Sequence, residues 1–384
     1  MRASSPKRQG DRILLSAIIL LLMIGILMVY SSSAFWGGEK YDNATLYLRN
    51  HFIRVVLGAF LLVLFSRIDY HLFRPLTPVL FLAASGLLVA VLFTPEFHGA
   101  RRSLEIFGKR FQPSEFMKPV MIFFLAAIFS RDSETEMPDS RSIYIHYGLL
   151  IATVALVFIE PDLGSALILF FLGFSIFFLS GVPWGQMARM VGGIAPMVLL
   201  GLALFPYQKK RISDYIQSAF QGGRMSHQVE QSIIGLARGG LAGVGYGEGK
   251  QKFLFLPEPF SDFILAHAGE ELGFLGLAFI MILFCVVLWR GMRIALHAPD
   301  RYGFLLAGGI TAMILFNALI NAGVVVNLLP TTGLPFPFIS YGGSNLIVMM
   351  MGGGILINIS RQVDVTFSEF TRARSRRAYV IPGG

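Results

Sequence analysis

Long apolar runs separated by short polar stretches recur from Ile13 to Ile359 of this 384-residue chain. A helix needs about 20 mostly apolar residues to cross the hydrocarbon core of a bilayer. Ten runs meet or approach that length: Ile13–Tyr30, Phe52–Ser66, Leu76–Phe93, Phe116–Phe129, Tyr144–Ile159, Gly164–Leu179, Met190–Phe205, Phe263–Leu288, Phe304–Leu328 and Phe338–Ile359. Membrane β-strands would alternate apolar and polar positions over segments of about ten residues. The run LILFFLGFSIFFL at Leu167–Leu179 does not alternate. The pattern therefore predicts an all-α polytopic membrane protein of about ten transmembrane helices.

Between the seventh and eighth runs lies one large extramembrane loop, residues 206–262. Within it Ile212, Tyr215, Ile216 and Phe220, then Val229, Ile233, Ile234 and Leu236, recur with a helical period. That spacing predicts short amphipathic helices on the membrane surface. The chain divides into a basic tail at 1–12, an integral domain at 13–360 and a second basic tail at 361–384. The first run follows Arg2, Lys7, Arg8 and Arg12 as a signal peptide would, but no small-residue cleavage site precedes a soluble domain, so it reads as a retained helix.

Composition agrees with lipid as the solvent. Hydrophobic residues make up 54% of the chain and charged residues 14%, against roughly a quarter charged in soluble domains. Ten spans put both termini on one side. Arg67, Arg74, Arg131, Arg141, Arg189, Arg290, Arg293 and Arg301 flank the loops that share it, and the positive-inside rule makes that side the cytoplasm. Arg101, Arg102, Lys109 and Arg110, and the basic residues of the large loop, then lie outside. They read either as a tolerated excess or as a surface for an anionic ligand. The net charge of +9 is spread over both faces without a recognisable nucleic-acid module, so no nucleic-acid partner is expected.

Cys285 is alone and inside an apolar run, which leaves it a packing role. None of the seven histidines has a partner at metal-ligand spacing. Gly243, Gly245, Gly247 and Gly249 imitate a phosphate loop without the flanking strand and helix, and read as a flexible surface loop.

Ionisable groups within or beside a span are costly and are functional candidates by default. Glu115 and Lys118 sit three apart at the start of the fourth run, as a local ion pair or as cavity residues. Asp162, after Glu160 and Pro161, fits a helix N-cap. Asp262, beyond Pro257 and Pro259, is either a cap or a carboxylate held at the water–lipid boundary, where partial desolvation makes a usable general base. Gly333–Ser344, rich in Gly and Pro, reads as irregular backbone beside a cavity.

MVYSSSAF at Met28–Phe35, GARRSLEIF at Gly99–Phe107, FQPSEFMK at Phe111–Lys118, EPDLGSAL at Glu160–Leu167, LPEPFSDFILAHAGEELGFLG at Leu256–Gly276 and LLPTTGLPFPFISYGGS at Leu328–Ser344 together resemble the FtsW, RodA and SpoVE (SEDS) family, in the same order along the chain. LLPTTGL and FISYGGS look closest to FtsW. Ser103 stands where the family commonly has Trp, and Phe260-Ser261 where it often has His-Thr.

The resemblance implies a peptidoglycan glycosyltransferase that polymerises lipid II on the outer face of the cytoplasmic membrane, for septal synthesis in cell division. Elongation and sporulation paralogues share that activity, while a lipid-linked precursor flippase, an O-antigen ligase and a divisome scaffold are the other classes in view. By resemblance Asp262 is the catalytic base, Arg101 and Arg102 contact phosphate, and Glu115 and Lys118 line the same cavity. The implied partners are lipid II, a cognate class B penicillin-binding protein and divisome proteins. The pattern fixes no cofactor and leaves a divalent cation open.

Overall fold

The computed structural model describes residues 10–95, 102–106, 109–130, 139–204, 206–220, 225–253 and 260–378. Helices run in the order α1 (Arg12–Tyr41), α2 (Leu46–Arg67), α3 (Phe73–Val91), α4 (Pro113–Phe129), α5 (Ser140–Ile159), α6 (Leu163–Leu179), α7 (Trp184–Leu204), α8 (Pro206–Phe220), α9 (His227–Gly239), α10 (Ile264–Leu296), α11 (Arg301–Val325) and α12 (Gly343–Ala378). Each of the ten expected runs falls on one of these helices, and seven of the helices are long and apolar enough to cross a membrane. Leu163–Leu179 is a shorter apolar helix. The two amphipathic helices expected in the large loop are α8 and α9. One element was not legible in the sequence: a hairpin of β1 (Leu104–Ile106) and β2 (Lys109–Phe111), antiparallel with Leu104 opposite Phe111.

In lipid, apolar surface on the outside costs nothing, so burial marks what packs against protein. Of the most apolar stretch of α12, 78% is buried, and of α11, 72%, whereas α2 buries 17% of its own. Thus α11 and α12 are central posts and α2 belongs to the rim. α2 lies along α12, α10 packs against α11, α9 and α1, and α4 and α6 close on α11. Small residues admit these approaches, as in membrane helix pairs generally: a Cβ at Gly354 of α12 would lie 2.4 Å from the Leu62 carbonyl of α2. Cys285 does not pack inside as expected; it is exposed on the outward face of α10, where a small apolar thiol is compatible with lipid.

The glycine-rich stretch is not a loose surface loop. Helix α10 breaks at Gly273, whose backbone (φ 67, ψ −169) leaves the helical region. The segment after α9 fills the break. Val244 and Gly245 donate their N–H groups to the carbonyls of Glu270 and Glu271 at 3.0 and 3.1 Å, and Phe274 and Leu275 donate to Gly240 and Leu241 at 2.9 and 3.1 Å. The carboxylates of the same two glutamates then hold the continuation. Glu270 accepts from the N–H groups of Lys250 and Gln251 at 2.9 and 3.0 Å, and Glu271 from Ser31 Oγ at 2.6 Å. His267 Nε2 lies 3.2 Å from Glu271, and Lys252 Nζ 3.6 Å from it. The alternation of glycines serves this docking: Gly243, at φ 81, has no room for a side chain, since a Cβ would meet the Glu271 carbonyl at 2.1 Å.

Gly273→Ala places a Cβ 2.2 Å from Gly243 N on a left-handed backbone. The strain alone is on the order of 1–3 kcal/mol, so the variant should unfold at a clearly lower temperature in detergent. Gly86→Ala, with open space around it, should leave the midpoint unchanged or slightly raised. Equal midpoints for the two variants would contradict the docked break.

Candidate functional site

Three helix starts meet at one end of the bundle. Pro113 occupies the first turn of α4 as helix sterics favour. The N–H of Gln112 just before it donates to Ser344 Oγ of α12 at 3.1 Å, and its side-chain amide to Asp162 at 2.7 Å. Asp162 is the N-cap of α6 that its position suggested, accepting from the Ser165 N–H at 3.0 Å and from Ser114 Oγ at 3.1 Å. Below this knot Lys118 and Glu115 form the expected ion pair at 2.6 Å, both essentially buried. Asn345 of α12 donates to the other Glu115 oxygen at 2.9 Å and approaches Asn317 of α11 at 3.4 Å.

Asp262 sits directly before α10 but does not cap it; Phe263 is the N-cap position and no side chain caps this end. Its backbone is fixed instead by the irregular segment ahead of α12. Asn321 Nδ2 of α11 donates to the carbonyls of Asp262 and Leu334, both at 2.7 Å. Ser340 Oγ donates to the Ser261 carbonyl at 2.6 Å while accepting from the Phe336 N–H at 2.8 Å, and the Tyr341 N–H donates to the Phe260 carbonyl at 2.9 Å. The side chain is thereby left half-buried, with Ser261 Oγ donating to Oδ1 at 2.9 Å.

Gly333 stands between this carboxylate and Arg102: a Cβ there would lie 3.5 Å from Arg102 Nη1 and 3.6 Å from Asp262 Oδ2. Arg211 of α8, donating to the Thr331 carbonyl at 3.1 Å, contributes a second positive field. Burial pushes the Asp262 carboxyl above its ordinary range, with the Ser261 hydrogen bond, Arg102 and Arg211 pulling it down and Asp162 pushing it up. Glu160, between α5 and α6, is fully buried with neither oxygen hydrogen-bonded, and burial together with Asp162 pushes it up to about 9.

The structure thus brings Asp262 and Arg102 together and puts Glu115 and Lys118 in the neighbouring buried network. Arg101 lies outside the described residues. Asn321, Ser340 and Asn345 were not singled out in the sequence, although a polar side chain within an apolar run is itself a signal. Among the described residues no three His, Cys, Asp or Glu side chains converge as a metal site.

Residues 12–365 match the cell cycle protein family of FtsW, RodA and SpoVE. The chain belongs to this family. Among its SEDS relatives, stage V sporulation protein E of Bacillus subtilis is 37% identical over 362 residues, 93% of this chain and 99% of that one. A probable peptidoglycan glycosyltransferase FtsW of Geobacter metallireducens is 34% identical over 360 residues, 93% and 96% of the two chains. Solved structures share the fold at 24% identity: a chain of a peptidoglycan synthase complex superposes with a TM-score of 0.75, covering 92% of this chain and 98% of that one. The rod shape determining protein RodA of Thermus thermophilus superposes at 0.68, covering 92% and 97%.

Breaking a buried ion pair by removing one partner costs about 3–5 kcal/mol, whereas replacing both is often neutral. Lys118→Met should therefore lower the unfolding temperature sharply, and Glu115→Gln in the same chain should restore most of it. A single variant as stable as the parent would remove the structural role from this SEDS ion pair.

Proposed function

We propose that the chain is a peptidoglycan glycosyltransferase that polymerises lipid II at the outer face of the cytoplasmic membrane. The observation that carries this reading is the Asp262 carboxylate, fixed through its backbone by Asn321 and Ser340 and faced by Arg102 across Gly333. The relatives named as peptidoglycan glycosyltransferases support the same activity.

Asp262 removes the proton from the GlcNAc 4-hydroxyl of the acceptor as that oxygen bonds to the anomeric carbon of the donor. The bond from that carbon to phosphate breaks, and its electron pair leaves with the lipid pyrophosphate. Attack opposite the leaving group inverts an α-linked donor to a β-1,4 glycan. Arg102 meets the departing charge, because a guanidinium matches phosphate oxygens in bidentate geometry; Arg101 shares that role in this reading. Glu115 and Lys118, paired and buried, hold α4 against α12 beside this site. A precursor flippase would need the basic cavity without a base, and the way Asp262 is positioned favours transfer.

The outward orientation of this site rests on the basic residues that flank the opposite loops, which put both termini in the cytoplasm. A class B penicillin-binding protein is the partner we assign, supported by the likeness to a chain of a synthase complex described as coordinating polymerization and crosslinking. LLPTTGL and FISYGGS, with relatives named FtsW, support a septal role beside divisome proteins; the 37% identity to a sporulation protein favours sporulation as the second reading.

Asp262→Asn retains size but cannot accept the proton. Purified protein, with its partner, should lose polymerisation of lipid II while keeping its unfolding temperature, and parental rates would move the base elsewhere. In the parent the rate should fall on the acid side at a pH above the ordinary aspartate value of about 3.9, since burial raises Asp262 and only its ionised form acts. Arg102→Gln removes a cation that lowers this pKa, so the residual rate should fall at a still higher pH. An unmoved acid limb would separate Arg102 from Asp262.

A green fluorescent protein exported unfolded stays dark, so a fusion to the C-terminus reads orientation and role together. Fluorescence concentrated at midcell is expected. A dark but full-length fusion would overturn the orientation, and signal spread along the cylinder would replace the septal role with elongation.

A further inference from the structure

Phe260, Tyr341 and Tyr47 form a wall beside Asp262 whose far side is cationic. Tyr341 lies edge-on to Phe260 at 5.5 Å between ring centroids, and Tyr47 of α2 is 4.5 Å from Phe260. Two turns further into α2, the guanidinium of Arg54 lies 4.3 Å over the Tyr341 ring. It also borders the start of α12: a Cβ on Gly343 would be 3.7 Å from Arg54 Cζ. Among the described residues Arg54 has no carboxylate partner and makes no hydrogen bond. One turn back on the same face, His51 is fully buried with neither ring nitrogen hydrogen-bonded.

A cation at this depth without an anion is expensive, and so is a buried imidazole without a partner, at about 1–3 kcal/mol. One occupant satisfies both: a doubly or triply charged oxyanion. The N–H groups of the first turn of α12, which have no carbonyl partner within that helix, add donors of the same sign. Arginine supplies a fork for two oxygens, and imidazole supplies one N–H in either tautomer.

Resting on the reading above, glycan polymerisation joins two molecules that each carry a lipid pyrophosphate. Arg102 lies on one side of Asp262 and meets the pyrophosphate that leaves. The other pyrophosphate stays on the acceptor, a saccharide's length from the hydroxyl that Asp262 deprotonates. We propose that Arg54 and His51, with the first turn of α12, bind the acceptor's pyrophosphate, so that the aromatic wall of Phe260 and Tyr341 separates two lipid-pyrophosphate sites. Arg54 is then a positioning residue. It sets which lipid-linked sugar presents its 4-hydroxyl to the base.

The test counts binding sites in the full-length Asp262→Asn protein, which binds without turnover, by native mass spectrometry in detergent. The probe is a lipid pyrophosphate-linked disaccharide without peptide, so that stem carboxylates play no part. Two molecules per protein are expected at saturation. Adding Arg54→Gln should weaken one of the two roughly tenfold or more, the loss expected for a charge-assisted pair. Arg54→Lys should fall between, because charge remains and the fork is lost; it serves also if the glutamine variant does not fold. Two sites of unchanged affinity in either variant overturn the proposal, as does equal displacement by phosphatidylglycerol, which would make this a headgroup site. An Arg54→Gln protein that polymerises at the parental rate sinks the acceptor site and leaves the polymerase reading standing; a parental protein that does not polymerise sinks the latter.

Discussion

Lipid offers no hydrogen bonds, so a backbone N–H or carbonyl that leaves a helix at membrane depth must find a protein partner or cost several kcal/mol. Two irregular segments here obey that constraint by pairing with α10. At one, residues 240–245 take up the groups freed by the break at Gly273. At the other, the stretch ahead of α12 pairs with the residues ahead of α10 through Ser340, Tyr341 and Asn321. Asp262 lies in the second of these junctions. Its position is set by hydrogen bonds that the membrane makes obligatory, and the carboxylate itself is spared from structural duty.

The same constraint explains what was legible in the sequence. Helices satisfy their own backbones, so their apolar runs could be read locally, and α1 to α7 and α10 to α12 coincide with the expected stretches. The periodicity of Ile212 to Phe220 and of Val229 to Leu236 marked α8 and α9 for the same reason. Tertiary pairing carries no such local signature. Glycines at Gly243, Gly245 and Gly247 look alike whether a loop is loose or docked, and only the break at Gly273 distinguishes the two. Asp262 looked equally like a cap and a base, because Asp is among the preferred residues at a helix N-cap; the free start of α10 decides against capping. Arg54 was passed over because one arginine in an apolar helix has no meaning until Tyr341 and Gly343 are beside it.

The lower network works differently. Glu115, Lys118, Asn345 and Asn317 join α4, α12 and α11 through polar contacts within the most buried part of the bundle. A buried pair is weak evidence for stability, but these contacts tie three helices together.

Three carboxyl groups border the same end of the bundle, and their surroundings separate their roles. Asp162 accepts hydrogen bonds from Gln112, Ser114 and the Ser165 N–H, so its lone pairs are committed to joining α4 and α6. Glu160 has no partner and is pushed up to about 9, which leaves it a neutral acid at physiological pH and unable to act as a base there. Asp262 stands between these extremes: burial raises it, Arg102 and Arg211 restrain it, and a single hydroxyl occupies one oxygen. A general base works best with its pKa drawn toward the operating pH while remaining ionised. Separation of neighbouring carboxyl groups by environment is how acid and base assignments are made in such sites. Of the three, Asp262 alone has both an oxygen left to receive a proton and a cation near enough to keep it charged.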